Sequence, residues 1–261
     1  MKKTLIDRLP LELPDEIRRL AEGARIFDSS CSPEARVYLI DRDGGYYLKV
    51  AKAGALAREA QMTEYFHRKD LGAEVLSYVL GENDMLLTRA VRGEDCTHEM
   101  YKVEPKRLCD LLAERLRALH ELDCSDCPIK DRVGEYISLA EKNYREDNYN
   151  KEHFPDSFGY SSGKEAYEAL TRGKGLLKNE VLIHGDYCMP NVMLDGWKFS
   201  GFIDVDHGGV GDRHIDLFWG RWSLGFNLKT YEYSDRFFDA YGRDKVDEEI
   251  LKIVAAAEVF G

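Results

Sequence analysis

A chain of 261 residues with 44% hydrophobic and 33% charged residues has an ordinary globular composition, long enough for one large domain or two small lobes. No apolar run approaches the length of a membrane span, and Asp7 and Arg8 interrupt any signal-like segment, so a cytoplasmic protein with no membrane partner is expected. A formal net charge of −11 argues against nucleic acid as a partner and leaves room for a cationic one.

Residues 1–90 read as strand, strand, helix, strand, strand. "ARVYLIDRDGGYYLKVA" forms two strands turning at Asp43-Gly44-Gly45, a hairpin signal. Leu56, Ala60, Thr63 and Phe66 recur at helical spacing before Gly72, and "VLSYVLGENDMLLTRAV" offers two more strands around Gly81–Asp84. Beyond "TRAVRGED" the chain turns helical. Leu108, Leu111, Leu112, Leu116 and Leu119 make one amphipathic stripe, and further helices are expected within 133–145, 163–174, 213–224, 232–241 and 246–259. The expected fold class is α+β, a small antiparallel sheet lobe with one helix followed by a larger, mostly helical lobe. Six cysteines include the pair Cys124 and Cys127 just after His120; without a second C-x-x-C they read as reduced structural thiols.

Polar residues inside apolar strands carry the chemistry, because burying charge is costly unless it is paired or bound. "VLIHGDYCMPNVML" places His184, Asp186 and Asn191 in the pattern H-x-D-x-x-x-x-N, and "FIDVD" follows with Asp204 after a hairpin at Asp195-Gly196. Kinase-type phosphoryl transfer uses such a loop: the aspartate orients the acceptor hydroxyl and takes its proton, while asparagine and the second aspartate hold Mg²⁺. Lys49 in "YYLKVA" would be costly without anions, and Glu59 on the following helix is its natural counter-ion.

Together with "SPEARVYLI", "LRALHELDCSDCPI", "GVGDRHIDLFW" and the terminal "AAAEVF", these motifs resemble the aminoglycoside phosphotransferases, most closely the 3′-enzymes. The resemblance implies a bilobal protein-kinase-like fold, with residues 1–90 as nucleotide-binding lobe and 91–261 as catalytic and aminoglycoside-binding lobe. It implies Asp186 as catalytic aspartate, Asn191 and Asp204 as Mg²⁺ ligands, and Lys49 with Glu59 on the phosphates of ATP, with GTP as an alternative donor. It further implies Ser32 of "DSSCSPEA" as a phosphate contact, the backbone of Thr88 and Ala90 at the purine edge, and Tyr47 stacked on the base. His184 is expected to be structural, and Asp216 to brace the catalytic loop.

For the acceptor, the resemblance points to Glu258, Phe260 and Gly261 at the end of the chain. The segment "REDNYNKEHFPDSFGY" adds Glu152 and Asp156, carboxylates that suit a polycationic aminoglycoside. The chain departs from the family at Asp206-His207, where Gly-Arg is usual, and in "LFWGRWSL", where Arg221 stands beside the usual arginine position; His207 and Arg221 therefore join the acceptor candidates. Two other readings stay open: a kinase of another small alcohol (choline, a methylthio sugar or a macrolide), whose choline form would favour an aromatic cage, and a nucleotide-binding module without catalysis. Either a monomer or a homodimer is compatible with the sequence.

Overall fold

The computed structural model describes residues 3–150 and 158–261, so Glu152 and Asp156 lie outside the described residues. The N-terminal part runs β1 (Thr4–Ile6), α1 (Asp15–Ala21), β2 (Arg25–Asp28), β3 (Ala35–Asp41), β4 (Tyr46–Lys52), α2 (Ala57–Arg68), β5 (Val75–Val79), β6 (Asn83–Arg89) and β7 (Glu94–Asp95). Then come α3 (Glu99–Lys102), α4 (Pro105–His120), α5 (Arg132–Arg145), α6 (Gly163–Gly173), β8 (Val181–Ile183), β9 (Val192–Asp195), β10 (Lys198–Phe202), β11 (Gly209–Gly211), α7 (Arg213–Leu228), α8 (Ser234–Tyr241) and α9 (Glu248–Glu258). This is an α+β fold, an antiparallel sheet followed by a helical region. Among the described residues no helix is long and apolar enough to cross a membrane.

By contact the chain forms two compact units, Met1–Cys96 with Pro190–Asp206, and Thr97–Met189 with His207–Gly261. The first holds a six-stranded sheet in the order β1-β2-β3-β4-β6-β5, every pair antiparallel. Strand alternation divides β4 between two faces. Tyr46 and Leu48 face a core with Ile17 of α1, Ile26, Tyr38 and Ile40, while Ala51 packs with Leu56 and Ala60 beside α2. Strands β1 and β2 and helix α1 have only three, four and seven residues. That is too short to display a hydrophobic period, which is why the sequence pattern missed them.

The hairpin of β9 and β10 turns through Gly196 and Trp197, both with positive φ (52° and 70°), and Lys198 pairs with Asp195. A two-residue loop with both φ values positive matches the twist of the strands it joins. Strand β7 pairs with β9, and this contact needs a glycine at 93: its φ is +92°, and a Cβ there would stand 1.9 Å from the Leu194 carbonyl oxygen.

In the second unit, α5, α6, α7 and α9 surround one core with β8, built on Leu170, Ile183, Ile215, Val254 and Phe260. Phe260 is fully buried, its ring edge-on to Tyr144 and Tyr149, and its carbonyl accepts from Asn143 Nδ2. Only Gly261 beyond it is exposed. The tail is therefore part of the core. Phe260→Ala is expected to lower the unfolding free energy by about 3–5 kcal/mol in urea denaturation, the usual cost of emptying an aromatic core site. Removing residues 258–261 should cost at least as much.

Candidate active site

In the first unit, β4 carries Tyr47 and Lys49 on one face, in register with Leu39 and Val37 of β3 and with Thr88 and Leu86 of β6. Helix α2 brings Glu59 to within 2.8 Å of Lys49 Nζ, and Asp204, just after β10, reaches the same ammonium at 3.2 Å. Glu59 is buried and the Asp204 carboxylate half-exposed. Burial alone would push the lysine's pKa down; Asp204, Glu59 and Asp206 outweigh it and hold Lys49 protonated above its ordinary value. Asp204 itself has left-handed backbone (φ 54°), which aspartate tolerates better than most residues.

The start of α2 is tied down by Asp84. This buried carboxylate on β6 accepts from the backbone N–H groups of Gly54 and Leu56 and from the Tyr78 hydroxyl, each at 2.9 Å. Asp84 therefore sets where Glu59 stands. The sequence reading missed it, although a lone aspartate beside an apolar strand was a visible signal.

Ser32, Tyr47, Lys49, Glu59, Thr88 and Asp204 line one cavity of this unit, whose apolar walls include Val37, Leu86, Met193 and Ile203. Ala90 is not among the lining residues, and its backbone N–H donates to the Gly45 carbonyl at 3.0 Å. Asn191 is buried at the end of a 3₁₀ turn, Met189–Asn191, and its carbonyl accepts from Ile203 N–H at 3.1 Å, which joins the starts of two functional segments. Among the described residues no set of three or more His, Cys, Asp or Glu is arranged to hold a metal. The oxygen donors available are Asn191 and Asp204, hard ligands of the number Mg²⁺ takes from protein when phosphates supply the rest.

In the second unit, the loop after β8 carries Asp186. Asp216, fully buried in the first turn of α7, accepts from the backbone N–H of His184 and of Gly185, each at 2.7 Å. His120 Nε2 lies 3.1 Å from the same carboxylate, and its Nδ1 lies 2.8 Å from the Tyr241 hydroxyl. Burial pushes the His120 pKa down, against the pull of Asp216, so the neutral ring donates to Asp216 and accepts from Tyr241. His184 is buried, and its Nδ1 accepts from Asp186 N–H at 3.3 Å. Gly185 has φ +83°, and a Cβ there would stand 2.1 Å from the His207 carbonyl oxygen. Only glycine permits that approach.

Two further residues hold this loop. The buried Ser223 hydroxyl accepts from Met189 N–H at 2.9 Å, and the Cys188 thiol shares hydrogen bonds with Asp186 and Ser223. Burial, then the Asp186 charge, pushes that thiol's pKa up, so it stays protonated. The spacing of Ser223, seven residues after Asp216 on one helix face, was the signal that would have found it. The other cysteines are also free thiols, and the buried Cys127 donates to the Ile129 carbonyl.

Of the acceptor candidates, Glu258 feels the charge of Asp186. Its carboxylate accepts from the Tyr136 hydroxyl at 2.7 Å and from Trp219 Nε1 at 2.9 Å. Burial pushes its pKa up to about 7 against these two donors, with the Asp186 charge adding to the rise. His207 is exposed, and its carbonyl is held by Arg132 Nε. Arg221 is turned toward α8, with Nε 3.4 Å from Ser234 Oγ and its guanidinium 5.9 Å from the Phe238 ring centroid. Phe260 and Gly261 occupy the positions given above, in the core and at the exposed end.

A strand lysine locked to a helix glutamate, together with a braced H-x-D-x-x-x-x-N loop, is the arrangement that kinase-type phosphotransferases use. Residues 24–251 match the family model described as the phosphotransferase enzyme family, and the chain belongs to that family. It is 50% identical over 251 residues to the "Probable aminoglycoside 3'-phosphotransferase" of Lactococcus lactis subsp. lactis (strain IL1403), covering 96% of this chain and 95% of that one. Among solved structures it is similar to an aminoglycoside-3′-phosphotransferase of type VIII, with a TM-score of 0.77, 26% identity, and coverage of 95% of this chain and 98% of that one. It shares its fold with APH(3″)-Id of Streptomyces rimosus in complex with ADP and streptomycin (TM-score 0.66, 23% identity, 91% of each chain).

The raised pKa of Glu258 has a consequence for stability. Between about pH 4.5 and 7 the unfolded chain releases this proton while the folded protein keeps it, so stability falls as pH rises through that window. Glu258→Gln is expected to remove about 1–2 kcal/mol of that decline, a figure discounted for partial exposure. Urea denaturation of both proteins at pH 5 and pH 7.5 checks it; equal slopes with pH would show that Glu258 titrates normally.

Proposed function

We propose that the protein is an ATP-dependent aminoglycoside 3′-phosphotransferase, acting in the cytoplasm and conferring resistance by attaching a charged phosphate to the drug. The observation that carries the phosphotransferase part is Lys49, held protonated between Glu59 and Asp204 at the edge of an apolar cavity. An apolar slot suits a purine base, and a fixed ammonium suits the phosphates. Support for the acceptor class comes from the full-length likeness to aminoglycoside 3′-enzymes and from the carboxylates Asp186 and Glu258 in one unit.

Residues 1–90, with the Asp204 segment packed beside them, take the nucleotide; the rest of 91–261 takes the acceptor. Tyr47 and Thr88 bound the base, while Ser32 and Lys49 contact phosphate. Asn191 and Asp204 are the residues that would hold Mg²⁺, which when bound neutralises charge on the phosphate oxygens. Asp186 orients the acceptor hydroxyl and accepts its proton as the new O–P bond forms and the bond from the γ-phosphorus to ADP breaks. Because the transition state is loose, positioning and charge stabilisation do most of the catalysis. The braces at Asp216 and Ser223 are what make the position of Asp186 definite.

The test is ADP release with a panel of aminoglycosides, with choline, a methylthio sugar and a macrolide as control acceptors, followed by locating the phosphate on the product. Turnover with a control acceptor and none with aminoglycosides would overturn the reading. Asp186→Asn keeps the size but removes the proton acceptor, and kcat is expected to fall at least about 10²-fold with the KM for ATP little changed.

A further inference from the structure

Helix α7 touches both parts of the acceptor chemistry from one flank. Ser223 holds the loop of Asp186 through Met189 N–H, and Trp219 donates to Glu258. At 100° per residue, Trp219, Trp222, Ser223 and Phe226 follow each other as i, i+3, i+4 and i+7 along that flank. The rings between these anchors are ordered as a ladder. Trp219 and Trp222 meet edge to face with centroids 5.4 Å apart, and Trp222 and Phe226 stack at 5.0 Å with an interplanar angle of 8°. Trp222 is half-buried, while Phe226 is 53% exposed, more than a large apolar side chain needs to be beside a packed core.

An ammonium already rests on this ladder. Lys229 Nζ stands 4.1 Å from the Phe226 ring centroid, inside the range in which the negative face of an aromatic ring attracts a cation. A ring face that holds one ammonium suits a ligand with several, and Trp219 at the other end of the ladder donates to the Glu258 carboxylate. Sugar rings add a second match, since their C–H faces pack against aromatic rings.

We propose that Phe226, backed by Trp222 stacked on one of its faces, forms an aromatic wall of the acceptor site whose other face takes an ammonium-bearing sugar ring, and that Lys229 competes with the acceptor for that face. This rests on the functional reading above, since it names how a polycationic aminoglycoside is gripped. Glu258 and Asp186 supply charge to such a ligand; the wall supplies shape and selects an aminosugar over a neutral alcohol. Phe226 is then a specificity-determining residue, and Trp222 the residue that positions it.

Steady-state ADP release from the full-length protein, with kanamycin varied at saturating ATP, tests the proposal. Trp222→Leu keeps apolar volume but removes the ring stacked behind Phe226, and is expected to raise the kanamycin KM about threefold, with kcat changed less than about threefold and the ATP KM unchanged. Trp222→Phe should recover most of the loss. Phe226→Leu alters an exposed side chain outside the core, removes the ring face itself, and should raise the kanamycin KM about tenfold. Lys229→Asn removes the competing ammonium, and asparagine tolerates the left-handed backbone at this position (φ 58°), so the KM should fall about twofold or more. A packing role for the ladder predicts no such fall. Kanamycin KM values within about 1.5-fold of wild type for both Phe226→Leu and Lys229→Asn overturn the wall, even if Trp222→Leu fails to fold. A wild-type protein that releases no ADP with any aminoglycoside overturns the functional reading, and the wall with it. Normal wild-type turnover with unchanged variants sinks the wall alone.

Discussion

A buried carboxylate without hydrogen-bond partners would be ruinous, and the loop that carries Asp186 exists in its observed form because Asp216 is not left alone. Its oxygens take two backbone N–H groups from the loop and one ring N–H from His120. Charge-assisted hydrogen bonds of this kind are among the strongest a protein makes, and losing one partner would leave the full desolvation cost exposed. The loop is thereby held where helix α7 begins. Gly185 completes the constraint, because the chain passes so close to the His207 carbonyl that no side chain fits.

The same logic repeats in the sheet unit with the sign reversed. Lys49 is a cation on an interior strand, tolerable because three carboxylates surround it. Those carboxylates come from separate stretches of chain: Glu59 from α2, whose first turn is anchored to β6 by Asp84, and Asp204 and Asp206 from the segment after β10. An ammonium held this way keeps donor capacity for an anionic ligand and loses little freedom when one arrives, which is what a catalyst working by positioning requires.

At the end of the chain, a core aromatic residue and a hydrogen-bonded carboxylate share one short stretch. Phe260 fills the core while Glu258, two residues earlier on the same tail, faces Tyr136 and Trp219. A tail that frayed would not hold a carboxylate in place; packing the last aromatic residue removes that freedom. This also explains why the terminal motif cannot be cut away to test binding alone.

Much of this was legible in the residues. The long elements announced themselves by period: the strands around Lys49, helix α2, the leucine stripe of α4 and the later helices all stand where the pattern placed them, within a few residues. The chemistry was legible for a different reason. Lys49 lies within an apolar strand, and Asp186, Asn191 and Asp204 stand among apolar residues close to strand ends, so their cost marks them as candidates in the sequence alone. Invisible were the elements too short to show a period, β1, α1 and β2, and every partnership between distant residues. Nothing local says that Asp84 ties down α2, that Ser223 holds Met189, that Arg221 turns toward Ser234, or that Trp219 and Tyr136 meet at Glu258. Periodicity and local cost are properties of neighbours along the chain, so the sequence by itself determined the types of the long elements and the candidate reactive residues. Which groups share a hydrogen bond is decided only when packing brings separate segments to the same point, and that belonged to the tertiary structure.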